Sequence, residues 1–278
     1  MIKIEGKKFD WFGLTQILKE HKGKLRQIRM LSVNELKKKY KGAALGPLWA
    51  LIKPTFTLFI LWFAFEIGLK RNGGVHFING KYTQFVFMLT GYVPWFYISE
   101  CIVGGSRSIR SNKQFVTKLS FPVSNIMTFT SLSGLYIHIL LCAIMYVVLL
   151  CLGFGPSIYN LQFIYYALMM YFFFLVLSWM TAPLSAFSKD FENLINSVIT
   201  GLFWLSGIFW NTYDISPLWL RKLMYFNPIN YFVNGYRKSF LTDTFIFDSN
   251  YTTETIVFSE RTPIRSSGRY FLTFCNKG

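Results

Sequence analysis

Residues 119–188 read LSFPVSNIMTFTSLSGLYIHILLCAIMYVVLLCLGFGPSIYNLQFIYYALMMYFFFLVLSWMTAPLSAFS, an uncharged run bounded by Lys118 and Lys189. A soluble domain scatters charge along its chain, so a run of this length needs a solvent other than water. One helix crosses the ~30 Å hydrocarbon layer with about 20 residues, so the run holds two crossings and a turn. The turn is Gly153–Asn160 (GFGPSIYN), whose two glycines and proline interrupt a helix. A third span near Ser124–Leu152 and a fourth near Leu161–Phe187 follow from it. The chain reads as an integral membrane protein.

Composition agrees. Hydrophobic residues make up 53% of the 278, aromatics 19% and charged residues 15%, against roughly 25% charged in soluble domains. A net charge of +16 fits either a nucleic-acid binder or a membrane protein. The clustering of charge outside the apolar runs selects the membrane, so nucleic acid is not an expected partner. Disorder, a secreted disulfide scaffold and a soluble enzyme are excluded. Cys101, Cys142 and Cys151 lie within or beside apolar runs and read as small apolar fillers. The charged start Met1–Asp10 does not have the form of a cleavable signal peptide.

Working outward, a first span covers Ala43–Leu69, interrupted by Lys53 and Glu66 and densest at Pro54–Phe65. A second covers Tyr82–Ser99, with Gly91 and Pro94 predicting a kink. A fifth covers Asn193–Tyr213 and closes on Trp204, Phe209, Trp210 and Tyr213, an aromatic interfacial end. Leu223–Tyr236 is apolar but too short to cross; it predicts a re-entrant hairpin pivoting on Asn227–Pro228. The expected fold is an all-α, polytopic helical bundle of five spans plus that outer hairpin. Its parts are amphipathic cytoplasmic helices over 1–42, a membrane domain over 43–240 and a polar tail over 241–278. Residues 1–53 hold 13 basic and 4 acidic residues, and loop 104–118 holds Arg107, Arg110, Lys113 and Lys118 with no acid. The positive-inside rule then puts the N-terminus and that loop in the cytoplasm.

Catalytic chemistry has no foothold: there is no metal-spaced His pair, no Cys-x-x-Cys, no paired intramembrane carboxylates and no phosphate-binding loop. No cofactor and no metal are expected. His138 reads as a polar channel group or as one end of a helix–helix hydrogen bond. Glu66 reads as a functional intramembrane acid or as the partner of Lys70 one turn on. Gly104-Gly105-Ser106 is a weak phosphate cradle or a flexible junction. Leu25, Ile28 and Leu31 make a basic amphipathic helix, and Ser32-Val33-Asn34-Glu35 matches a capping box that opens a second one. Such a surface lies flat on anionic lipid or docks a cytoplasmic partner.

Four stretches occur in a familiar order. Tyr40–Trp49 with Pro54, then Pro94-Trp95-Phe96, then Phe121-Pro122-Val123-Ser124, then Asn227-Pro228 with Tyr231, Tyr236 and Arg237 together resemble the permeases of ABC type-2 polysaccharide exporters. Phe65–Gly74 looks closest to the teichoic-acid members. The resemblance covers about residues 15–245. It implies a homodimer joined to separately encoded ATPase subunits, moving a lipid-linked glycan of the O-antigen, capsule or teichoic-acid type. It implies a coupling segment within 104–121, carried by Arg107, Ile109, Arg110, Lys113 and Phe115. It also implies an outer gate over 214–240, carried by Asn227, Pro228, Tyr231, Tyr236 and Arg237. A glycan path wants aromatic walls, and Trp62, Phe63, Trp95, Phe203, Trp204 and Trp210 either line it or anchor in lipid. Two rivals stay open: a drug or lipid exporter of the same class, and a membrane enzyme acting on polyprenyl-linked glycans.

The tail departs from that family. A sixth span is due near Tyr251–Val257, but Glu260, Arg261, Arg265 and Arg269 follow at once. Charges at a span centre cost about 2.5–3.5 kcal/mol each. The expectation is five spans, with Thr242–Gly278 left outside or disordered; the abrupt change suggests a shifted reading frame or a truncated gene.

Overall fold

The computed structural model describes residues 13–69, 74–78, 80–117, 121–215 and 217–245. The tail from residue 246, where five spans and an outside or disordered tail were expected in place of a sixth span, lies outside the described residues, as does Lys70.

Among the described residues four helical segments are long and apolar enough to cross a membrane: Gly46–Gly68, Gln84–Ser111, Val123–Cys151 and Ile158–Phe187. The first is a 3-10 turn, then α3 (Trp49–Trp62), then a π-helical turn Phe63–Gly68. The second is α4 (Gln84–Ser111), the third α6 (Val123–Cys151), and the fourth a 3-10 turn leading into α7 (Gln162–Phe187). Around them stand α1 (Gly13–His21), α2 (Leu25–Lys39), α5 (Lys113–Thr117), α8 (Lys189–Leu205), α9 (Leu218–Tyr225) and α10 (Pro228–Leu241). A two-stranded hairpin, β1 (Val75–Phe77) and β2 (Gly80–Tyr82), pairs Val75 with Tyr82 and His76 with Lys81.

The centre is α4. Within its apolar stretch 78% of residues are buried, against 17%, 33% and 28% in the other three. Small residues let its neighbours close in: a Cβ on Gly105 would lie 2.2 Å from Ser178 Oγ of α7. Ser178 Oγ donates to the main-chain oxygens of Phe174 (2.8 Å) and Cys101 (3.2 Å), and Cys101 Sγ lies 3.3 Å from Ser131 Oγ of α6. Gly104-Gly105 is therefore a packing contact inside a helix. The expected second span ends at Ser99, whereas α4 runs on through Pro94 and both glycines to Ser111. Most of the expected coupling loop is helix, because burial against α6 and α7 outweighs the glycines' helix penalty.

Side-chain bonds define two ends of the bundle. At the basic end, His21 Nε2 lies 2.7 Å from Thr128 Oγ1, and Glu20 accepts from Ser124. Lys38 Nζ donates to Asn112 Oδ1 at 3.0 Å, and Lys39 pairs with Glu100. Ser32, expected to cap a helix, sits fully buried inside α2, its hydroxyl bonded to Arg29 O (2.8 Å) and Tyr136 OH (3.2 Å). The capping pattern is overridden because α2 has already formed from Leu25 and packs on α6. At the far end, Tyr82 donates to Leu241 O, Gln84 Nε2 to Phe209 O at 2.8 Å, and Asn211 Nδ2 to His76 O at 2.8 Å.

The fifth expected span is the element that differs most. Its helix, α8, opens at Lys189, capped by Ser188 accepting from Asp190 N at 3.1 Å, with Asp190 and Glu192 favourably placed in the first turn. It stops at Leu205, ahead of Gly207 at φ 63°, so Trp210 and Tyr213 lie beyond the helix. Seventeen residues rise about 25 Å, short of the ~30 Å hydrocarbon layer. The expected hairpin is present as α9 and α10, broken at Asn227–Pro228.

Candidate functional site

An aromatic wall joins α4, α8 and the turn after α8. Phe203 is its hub: ring centroids lie 5.5 Å from Trp95, 5.4 Å from Trp204 and 4.8 Å from Phe209. Trp204 and Phe209 are 5.3 Å apart, and Phe65 stacks on Phe209 at 5.4 Å with planes inclined by 12°. Trp210 joins through its Nε1, which donates to Trp204 O at 3.1 Å. Of the six aromatics read from the sequence, Trp95, Phe203, Trp204 and Trp210 come together. Trp62 sits apart with Phe59 and Phe85, and Phe63 is exposed. Phe65 was not read as an aromatic of the path and Phe209 only as part of an interfacial end; the π-helical turn carries the one, and the turn at Gly207 the other. No residue of α8 is buried, and Leu194, Val198, Trp204 and Leu205 are all about half exposed. Glu66 accepts from Trp62 Nε1 at 2.5 Å, one turn back on its own helix.

The segment read as an outer gate is held by a buried cation. Arg237 on α10 is fully buried, and its guanidinium donates to three main-chain oxygens on two elements. These are Phe87 O from Nη2 at 3.1 Å, Gly207 O from Nη1 at 2.7 Å and Ile208 O from Nη2 at 2.7 Å. Nη1 also donates to Asn234 Oδ1 at 3.1 Å, and the guanidinium carbon lies 3.5 Å from the Phe87 ring centroid. A Cβ on Gly91 would lie 2.4 Å from Nη2, so glycine there opens the seat. The residue before it on α10, Tyr236, is buried with its hydroxyl 2.6 Å from His138 Nε2. His138 is thus the helix–helix hydrogen bond that one of its two readings required. Asn227 caps α10 by accepting from Ile229 N at 3.0 Å and donates to Ser206 Oγ at 3.1 Å; Pro228 starts the helix. Tyr231 is half exposed and packs edge-on to Tyr166 at 5.6 Å.

At the basic end Arg107, Arg110 and Lys113 are exposed and Ile109 and Phe115 half-buried, and the two arginines are engaged within the chain. Arg107 Nε pairs with Glu192 Oε1 at 2.6 Å, and Arg110 Nη1 with Glu192 Oε2 at 3.3 Å. Arg107 also donates to Asn196 Oδ1 (3.1 Å), and Arg110 to Ser185 O. The end of α4 is therefore tied to the start of α8. Phe115 packs on Phe121 (5.6 Å) and Phe129 (5.8 Å), and Ile109 on the same cluster; Lys113 is exposed. Among the described residues no group of His, Cys, Asp and Glu could hold a metal.

A central helix, three further apolar helical segments, a broken hairpin packed among them and a basic end describe a polytopic all-α membrane bundle. The chain belongs to the ABC-2 type transporter family, whose pattern matches residues 26–241. It is similar to the O-antigen export system permease protein RfbA of Myxococcus xanthus, 25% identical over 207 residues, 74% of this chain and 76% of that protein. Two proteins of the same name from Klebsiella pneumoniae are also similar. One is 25% identical over 229 residues, covering 79% of this chain and 82% of its own length. The other is 26% identical over 220 residues, covering 76% and 79%. Membership of this family implies a membrane setting and an ATPase partner.

Proposed function

We propose that the chain is the membrane subunit of an ATP-driven exporter of lipid-linked polysaccharide, of the O-antigen, capsule or teichoic-acid type. Two copies form the channel, and a separate ATPase chain binds the basic end. The observation that carries this is the aromatic wall of Trp95, Phe203, Trp204, Phe209 and Phe65, continuous and free of charge. Ring faces accept the C–H faces of sugars without fixing them by charge, which suits a polymer that must slide. The names of the relatives support the same cargo. The half-exposed apolar side of α8 supports a second copy, whose wall would close the path. The basic end, with Arg26, Arg29, Lys37, Lys38 and Lys39 on α2, supports a cytoplasmic N-terminus.

In this reading, ATPase movement at α5 reaches α4, and the Arg107–Glu192–Arg110 pairs pass it to α8, which carries the wall. The segment α9–α10 closes the far end, held by Arg237. A second reading, export of a lipid or drug, is favoured by an apolar groove of about 580 Å³ between α6 and α7, lined by Leu135, Ile139, Phe163, Ile164 and Leu168.

The test is export of surface glycan from cells carrying Phe203→Ala or Phe209→Ala with the ATPase. Export should fall at least fivefold, a factor of about 1 kcal/mol, while the amount of permease in the membrane changes little. Equal falls in export and in membrane protein would make the wall structural packing; loss of lipid or drug efflux alone would favour the second reading.

A further inference from the structure

At the far end a cleft of about 290 Å³ lies between the β1 edge and the segment after α8, lined by Gly74, Val75, His76, Trp210, Asn211, Asp214 and Ile215. Ligand pockets run from roughly 300 Å³ upward, so this one has room for one or two sugar rings rather than a chain. Its walls are pinned. Asn211 Nδ2 donates to His76 O at 2.8 Å, Asn211 Oδ1 accepts from Tyr213 N at 3.1 Å, and Phe77 packs on Tyr213 at 6.0 Å.

The chemistry left over is specific. Trp210 spends its only donor on Trp204 O, so it offers the cleft nothing but a ring face. The His76 imidazole and the Asp214 carboxylate are exposed, and neither is engaged by another side chain among the described residues. An aromatic face beside a carboxylate and an imidazole suits a ring with one apolar face and hydroxyl or amide donors on its rim. A carboxylate accepts but does not donate, so it selects such donors and repels sugar phosphates. Through Trp210 and Trp204 the cleft is also continuous with the aromatic wall.

We infer that His76, Trp210 and Asp214 form a binding site for a neutral or N-acetylated sugar residue at the far end of the path. Resting on the exporter reading, it holds the glycan where it leaves the wall. A grip at the exit biases a sliding polymer outward, since each captured ring has to be released before the chain can slip back.

The probe is chitotriose, with binding to the purified full-length permease in lipid nanodiscs followed by saturation-transfer NMR. The variants are Asp214→Asn, His76→Ala and Trp210→Ala, with Trp219→Ala on exposed α9 as control. Losing a hydrogen bond to a charged group corresponds to about tenfold in affinity or more. Asp214→Asn and Trp210→Ala should therefore weaken binding about tenfold, and the control less than twofold. Asp214→Asn and His76→Ala alter one surface side chain each, so they stay informative if Trp210→Ala does not fold. Unchanged binding in both overturns the site, as does absence of saturable binding to wild type. Glycan export by wild-type cells is measured in parallel. Binding without export would overturn the exporter reading and leave the site standing; export without binding would do the reverse.

Discussion

Arg237 shows how one residue can organise a break between helices. A charged side chain taken out of water is costly unless its donors are used, and here the buried guanidinium serves carbonyls of Phe87, Gly207 and Ile208. Those at 207 and 208 lie just past the end of α8, where no helical N–H remains to serve them. The planar fork spans both elements at once, which a lysine ammonium does not. Arg237→Lys and Arg237→Gln should each lower the temperature at which the purified protein loses its monodisperse peak, as bonds worth about 1.5–3 kcal/mol each are broken. Gly91→Ala should do the same by displacing Nη2. Wild-type thermal behaviour in all three would show that the guanidinium is dispensable to the fold. The sequence marks Arg237 only through its resemblance to other permeases. What it clamps was unreadable, because its partners sit far away in the chain and become available only once Gly91 has opened the seat and α8 has stopped.

At the scale of elements, helix existence was readable and helix extent was not. The runs around residues 54–65 and 119–188 announce their spans by lack of charge. By contrast, Gly104-Gly105 reads as a hinge in one dimension and is a close contact with Ser178 in three. Its consequence is mechanical: α4 reaches the basic end as one rod, and Glu192 ties that rod to α8. Reversing Arg107 and Arg110 would break this internal tie before it tested any partner, so docking of the ATPase is better probed at exposed Lys113. Glu192→Gln should leave the ATPase bound and hydrolysing but reduce glycan exported per ATP several-fold. Partly exposed ion pairs contribute only about 0–1 kcal/mol each, so the amount of folded permease should hardly change. If hydrolysis and export fell in step, the tie would be structural rather than a transmission. For docking itself, Lys113→Glu should weaken ATPase co-purification; unchanged co-purification would place the contact elsewhere.

For the whole molecule, the contacts fix an alternation that charge then orients. Lys38 meets Asn112, and Arg110 meets Ser185, so the start of α3, the end of α4 and the end of α7 share the basic end. Tyr82 meets Leu241 and stacks near Phe154 at 6.1 Å, so the hairpin, the turn after α6 and the end of α10 share the other. Between Lys22 and Gly155 the chain passes through three spanning segments, an odd number, and the two residues must face opposite sides of the membrane. By the positive-inside rule, the excess of Lys and Arg around it predicts that Lys22 faces the cytoplasm. Both positions are exposed, and a Cβ at Gly155 meets nothing within 4 Å, so cysteines there should be tolerated. In a background without exposed Cys151 and the tail's Cys275, Gly155→Cys should react with a membrane-impermeant maleimide in intact cells. Lys22→Cys should react only after the cells are opened. The reverse pattern would turn the molecule over and move both the ATPase surface and the sugar cleft to the wrong sides for export. Labelling of both from one side would deny that three segments cross, the 28-residue α4 among them, and would break the architecture on which the transport reading stands.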